Sequence, residues 1–191
     1  MRQRDYFNVV DELQVLVEEY GVGHVMWLDD DLLRDEHRAI AIFNEIARRN
    51  LNLTLEATNG LIAASCTAEM VAAVAASSCI AVNIGMKSGN PQILWEIKKR
   101  GTIRNFITAA ENFRKYQEIH TFILLILGFP GETMQMVQDT INVASEMDYT
   151  CDWISQLQPW TNTPFYNALI AQGLLPTAGT RETRFMGGGY G

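Results

Sequence analysis

Two spacings of apolar residues alternate along the chain. From Asp5 to Tyr20, Tyr6, Val9, Val10, Leu13, Val17 and Tyr20 recur at three- and four-residue steps, which predicts a helix with one buried stripe, and Gly21 suits the residue just past its end. His24 to Leu28 then predicts a short strand. After Asp29-Asp30-Asp31 a second helix starts at Asp35, with Ile40, Phe43, Ile46 and Ala47 on its inward stripe and Arg48 and Arg49 in the last turn, where the helix dipole favours cations.

The cycle continues. Leu51 to Ala57 predicts a strand, Thr67 caps an Ala-rich helix, Ile80 to Gly85 predicts a strand, and Asn90-Pro91 opens a helix as a cap followed by proline. A helix from Thr102 leads to a strand over Ile119 to Leu127. Thr133 to Met147 reads as helix, Trp153 to Leu157 as strand, and Pro164 to Gln172 as a helix ended by Gly173. Within this series Phe122-Ile123-Leu124-Leu125-Ile126-Leu127 is apolar without alternation, the pattern of a parallel strand buried on both faces. It breaks into Gly128-Phe129-Pro130-Gly131-Glu132-Thr133 and restarts as a helix, so glycine backbone and free helix N–H groups gather at one strand end.

Strands starting near 24, 52, 80, 119 and 153, each followed by a helix, make consecutive β/α units and therefore a parallel sheet. Right-handed crossovers in sequence order curl such a sheet toward a barrel or partial barrel, whereas a doubly wound sheet needs a reversal of strand order. The chain opens on a helix, as if a first strand lay upstream. Residues 1–175 are expected to form one α/β core, and 176–191, with Gly187-Gly188-Gly189, to be a loose tail.

Composition narrows the function classes. The chain has 191 residues, 48% of them hydrophobic, enough for one domain with a sizeable core. A formal net charge of −7, with no basic cluster beyond Lys98-Lys99-Arg100, argues against nucleic acid as a partner. No stretch approaches the roughly 20 apolar residues of a membrane span. The N-terminus lacks the apolar core of a signal peptide, so a cytoplasmic location is expected. Cys66, Cys79 and Cys151 lie 13 and 72 positions apart, a spacing that suits neither zinc nor an iron–sulfur cluster and reads as buried thiols. His24, His37 and His120 are isolated and share no ligand spacing. No metal site is expected in this chain.

Chemistry in such folds sits at the C-terminal strand ends. The loops there are Asp29-Asp30-Asp31, Thr58-Asn59-Gly60-Leu61, Met86-Lys87-Ser88-Gly89-Asn90, Gly128 to Thr133, and Gln158-Pro159-Trp160. Adjacent carboxylates at 29–31 suit a divalent metal, an ammonium group, or simply a solvated turn. Lys87 and Ser88 put a cation and a hydroxyl beside a helix start, a seat for carboxylate or phosphate or an ordinary Asn90 cap.

The order Asp-Asp, Asn59-Gly60-Leu61, Ile84-Gly85-Met86-Lys87-Ser88-Gly89-Asn90-Pro91, Gly128-Phe129-Pro130-Gly131-Glu132-Thr133, then Pro159 and Thr163-Pro164-Phe165-Tyr166, resembles the radical S-adenosylmethionine (SAM) superfamily, in particular the branch that carries an upstream cobalamin-binding domain. The resemblance runs from about Val10 to Leu175. It implies a partial (β/α)6 TIM-like barrel that binds S-adenosylmethionine at the C-terminal strand ends, where a [4Fe-4S] cluster cleaves it to a 5′-deoxyadenosyl radical. The family's three cluster cysteines stand in a C-x3-C-x2-C loop after the first strand, and this chain has no counterpart to that segment. By the same resemblance Asp29, Asp30 and Asp31 approach the methionine ammonium, Asn59 belongs to the cofactor-binding set, Ser88 meets the methionine carboxylate or ribose, and Ile126, Gly128, Phe129 and Pro130 lie along the adenine. Lys87 stands where the family has glutamate, and Ile62 where arginine commonly follows Asn-Gly-Leu. Trp160-Thr161-Asn162-Thr163 replaces a Pro-Gly-Thr turn.

Three readings remain open on the residues. The first is a radical SAM core, fragment or truncated member, whose complete parent is a methyltransferase or cyclase acting on a hydrophobic or tetrapyrrole-like small molecule, with cobalamin bound through an N-terminal domain. The second is a degenerate barrel that binds a nucleotide-like ligand or a partner protein without catalysis. The third, a D-x-D phosphotransferase built on Asp29 and Asp31, is disfavoured because Leu33 stands where a threonine is expected.

Overall fold

The computed structural model describes residues 3–29 and 31–175, without the side chains of Cys151 and Asp152. Asp30 and the tail from residue 176 lie outside the described residues. The chain divides into one compact unit ending at Gln156 and a second beginning at Leu157.

In the first unit the elements follow as α1 Tyr6–Tyr20, β1 His24–Met26, α2 Glu36–Arg49, β2 Thr54–Leu61, α3 Ala68–Ala76, β3 Cys79–Lys87, α4 Pro91–Glu96, α5 Ile103–Phe113, β4 His120–Leu127, α6 Met134–Met147 and β5 Cys151–Gln156. A 3₁₀ turn at Ala63–Ser65 precedes α3. The strands form a parallel sheet in the order β1-β2-β3-β4-β5, so each strand lies beside its sequence neighbours. With right-handed crossovers, such an order places all intervening helices on one side and curls the sheet. The result is the expected curled half-barrel. The second unit contains α7, Pro164–Ala171, started by the Thr163 hydroxyl accepting from the Tyr166 N–H at 3.1 Å.

Local chemistry explains where the helices begin. Asp5, Asp35, Thr67, Asn90, Thr102 and Thr133 each accept a first-turn backbone N–H, and Thr102 with Asn105 closes a reciprocal capping box. α1 and α2 are clamped by Arg49, whose guanidinium donates to Asp11 at 2.7 Å and to Glu45 at 2.8 Å. Because Arg48 also donates to Glu45, that carboxyl is held well below its ordinary range, at about 2.

The core lies between helices and sheet. Leu55 and Ala57 of β2, Val82, Ile84 and Met86 of β3, and Ile123 and Leu125 of β4 pack there with Phe43, Met70, Phe106 and Met147 from the helices. Each large apolar side chain enclosed in this way contributes about 1.5–3 kcal/mol.

The structure corrects two expectations. β4 is not enclosed on both faces: Thr121, Ile123 and Leu125 are buried, whereas Phe122, Leu124 and Ile126 are half-buried on the other face. β2 does not turn at Thr58 but continues to Leu61 through a register shift, made possible by Gly60 at φ +101°. Asn83 of β3 ties down this irregular stretch by donating to the Thr58 carbonyl at 2.7 Å.

Candidate functional site on the open face of the sheet

Because strand side chains alternate, the residues between the core positions turn away from the helices. Thr54, Glu56 and Thr58 of β2, Asn83, Gly85 and Lys87 of β3, and Phe122, Leu124 and Ile126 of β4 share that open face. It is an apolar floor on β4 beside polar groups on β2 and β3. The candidate residues stand at its C-terminal rim.

At the end of β1, Asn59 donates to the Asp29 carbonyl at 3.0 Å, tying the aspartate loop to β2. Asn59 thus acts on the loop's backbone. Asp29 is exposed. Asp31 is held more tightly: its side chain is 18% exposed, Oδ2 lies 4.0 Å from Arg100 Nη1, and Oδ1 is buried with no hydrogen-bond partner. A buried carboxylate oxygen without a donor is costly, so Asp31 is prepared to accept one. Trp27, whose Nε1 is likewise buried and unpartnered, lines with Asp29, Asp31, Arg4, Glu12 and Arg38 a cavity of about 410 Å³ between β1 and helices α1 and α2.

Ser88 sits differently from the sequence expectation. It is fully buried. The Thr140 hydroxyl donates to the Met136 carbonyl at 3.1 Å, so in the 3.1 Å contact between the hydroxyls Ser88 is the donor. Ser88 Oγ in turn accepts from the Asn90 N–H at 3.1 Å, and Thr140 accepts from the Gly89 N–H at 2.9 Å. Asn90 Nδ2 completes the attachment by donating to Asp139 at 2.8 Å. With its proton engaged inside the protein, Ser88 fastens the turn to α6, and Lys87, at φ +73° immediately before it, is carried at the rim.

The turn after β4 is closed by a residue the sequence reading did not single out. Glu132 Oε2 accepts from the Gly128 N–H at 2.6 Å and the Phe129 N–H at 3.2 Å, while Oε1 is buried without a partner. Two backbone amides of the glycine turn are therefore occupied by a side chain of the turn itself, and of the helix N–H groups expected there the Met136 N–H is taken by the Thr133 hydroxyl. Gly128, at φ +90°, takes a conformation that L side chains rarely adopt. Ile126 presents a half-buried apolar side chain beside it, and Phe129 and Pro130 continue the rim. The Gly-x-x-x-Glu spacing was the available signal for Glu132. Arg100 and Lys99 carried none, because they reach the rim from the irregular segment after α4.

The residues do not fit every group the resemblance implies. Asp31 suits a ligand ammonium. The described thiols do not suit a [4Fe-4S] cluster: burial pushes Cys66 up to about 12 and Cys79 up to about 11, and their Sγ atoms donate to the Ile62 and Ala81 carbonyls. Among the described residues no group of three or more His, Cys, Asp and Glu could hold a metal ion. None of the described helices is long and apolar enough to cross a membrane.

Similarity to known proteins agrees with this architecture. An uncharacterised methyltransferase of Pyrococcus horikoshii is 29% identical over 175 residues, covering 92% of this chain and 38% of that protein. The cytidylyl-2-hydroxyethylphosphonate methyltransferase of Streptomyces wedmorensis is 22% identical over 181 residues, covering 92% of this chain and 34% of that protein. Among solved structures, the radical S-adenosylmethionine methyltransferase TsrM from Kitasatospora setae, with cobalamin and a [4Fe-4S] cluster bound, superposes with a TM-score of 0.76 at 23% identity, over 89% of this chain and 32% of TsrM. The chain thus spans between 32% and 38% of the length of these relatives. Residues 1–144 match the Radical SAM superfamily, and with the parallel half-barrel this places the chain in that superfamily.

Proposed function

We propose that the open face binds S-adenosylmethionine and that the chain serves as the core of a radical SAM methyltransferase acting on a small molecule. The observation that carries the reading is the buried, unpartnered Asp31 Oδ1 at the end of β1, on a loop fastened to β2 by Asn59. In this reading Asp31, with Asp29 and Asp30 on the same loop, receives the methionine ammonium. Ile126 and the Gly128–Pro130 backbone form a shelf for the adenine, and Ser88 positions the turn that bears Lys87. S-adenosylmethionine, when cleaved reductively at a [4Fe-4S] cluster, supplies the radical, and we place the cluster's thiolates outside the described residues. Cobalamin, which is bound in TsrM, enters as a further cofactor of the methyltransferase.

Calorimetric titration of S-adenosylmethionine into the full chain tests this. Asp31→Asn removes a charge-assisted hydrogen bond worth about 1.5–3 kcal/mol and should weaken binding about tenfold or more. Ile126→Asp should weaken it comparably by spoiling the apolar shelf. Equal affinity in wild type and both variants would refute the assignment.

A further inference from the structure

Two lysines from different segments meet over one glycine of the open face. A methyl group built on Gly85 would stand 3.2 Å from Lys99 Nζ and 3.7 Å from Lys87 Cε, so both side chains cross the same bare stretch of β3 backbone. Both residues are half-buried, and no carboxylate of the described residues lies within 4.0 Å of either ammonium. The adjoining charges do not compensate them. Arg100 adds a further cation aimed at Asp31, and Glu56 lies within salt-bridge distance of His24, at 3.7 Å.

Ammonium groups brought together in partial burial repel one another, and a chain free to move would turn them into water. Here the fold holds the backbones that bear them in place. Lys87 sits at φ +73° in the turn that Ser88, Gly89 and Asn90 fasten to α6, and Lys99 is fixed by its N–H donating to the Leu94 carbonyl at 2.9 Å. Gly85, having no side chain, leaves both the space they occupy, and a Cβ there would crowd the Lys99 ammonium. Burial lowers the proton affinity of each amine, and Lys87 lowers that of Lys99 further, as expected of neighbouring cations.

We propose that Lys87 and Lys99 form a seat on the open face for a dianionic phosphate or phosphonate group carried by the substrate. A dianion matches the two ammonium charges, whereas a carboxylate leaves one unbalanced. Assigning that group to the substrate rests on the open face being the ligand side, as proposed above. The anion seat itself is independent of S-adenosylmethionine and is tested without it.

The experiment is reductive methylation of lysines in the full chain near neutral pH, read by mass spectrometry, with inorganic phosphate, pyrophosphate or acetate as probes. Phosphate and pyrophosphate should protect Lys87 and Lys99 together and leave exposed Lys98 unchanged, while acetate at equal concentration protects neither. Lys87→Met should abolish phosphate protection of Lys99 and make Lys99 somewhat less reactive by removing the neighbouring charge that adds to the effect of burial on its proton affinity. It should also weaken pyrophosphate binding by about tenfold or more, and Lys99→Met should do the same. Protection equal for acetate and phosphate, no protection at all, or an unchanged Lys99 in Lys87→Met would each overturn the proposal. Phosphate protection in a chain that does not bind S-adenosylmethionine would leave the seat standing and refute the cofactor reading. The converse result would refute the seat alone.

Discussion

On β3, Val82, Ile84 and Met86 are enclosed against the helices, whereas Asn83, Gly85 and Lys87, each one residue along, turn to the open face and remain tied to polar partners or to none. The same strand thus serves two purposes with a period of two residues. The helix side supplies cohesion through apolar burial, and the open side carries groups whose arrangement adds little cohesion or opposes it. A costly residue on the first side has a packing reason; on the second it calls for a ligand.

The largest effect should separate the faces directly. Ile84→Ala opens a cavity under the helices and is expected to cost about 3–4 kcal/mol, while Leu124→Ala on the open face should cost below about 1 kcal/mol. Denaturant titration of both variants measures the difference, and equal costs would mean that the open face is packed as tightly as the other.

Next comes the attachment of the β3–α4 turn. Thr140→Val keeps the shape of the side chain but leaves the Ser88 hydroxyl and the Gly89 N–H without an acceptor, which should cost about 2 kcal/mol. Ser88→Ala also strips the Asn90 N–H of its acceptor, so the double variant should cost less than the two single costs added together rather than regain the wild-type stability. Additive costs would show that the hydroxyls are not coupled.

A smaller effect concerns Lys87 and Lys99. Both have folded proton affinities below the ordinary lysine value of 10.5, so the folded state resists their protonation. Their cost is fully present when both are charged and disappears as pH rises through the lowered values toward 10.5. The double variant Lys87→Met, Lys99→Met should therefore be more stable than wild type at neutral pH, with the gap narrowing toward pH 10.5 in thermal melts. A gap that widens with pH would reverse the argument.

The smallest is at the acid end. The Glu45 carboxyl, lowered from 4.5 to about 2 by Arg48 and Arg49, contributes stability that is whole above 4.5 and lost as pH falls toward 2. Glu45→Gln should flatten that limb of the stability curve and leave the alkaline side unchanged.

Much of the helix-covered face was legible in the sequence. Cap residues, apolar stripes and the β/α alternation follow local rules, and Thr67, Asn90, Thr102 and Thr133 start helices as their identities require. The rim was less so, because its contacts join distant segments. Ser88 reads as an available hydroxyl until Thr140, 52 positions away, is seen to receive its proton. The Asn-Gly at 59–60 reads as a turn until pairing with β3 carries β2 through it. The apolar run of β4 has no alternation to show which face is bare. Lys99 offers no periodicity, and only the missing side chain of Gly85 brings it beside Lys87.

The attachment of the β3–α4 turn to α6 also bears on how the protein is made. Since each strand pairs with its neighbours in sequence, the sheet can grow one unit at a time from the N-terminus as synthesis proceeds. The turn bearing Lys87 is an exception to that vectorial order: its partners Asp139 and Thr140 emerge about fifty residues later. β3 can therefore be paired while its rim is still loose, and that end acquires its geometry only when α6 docks.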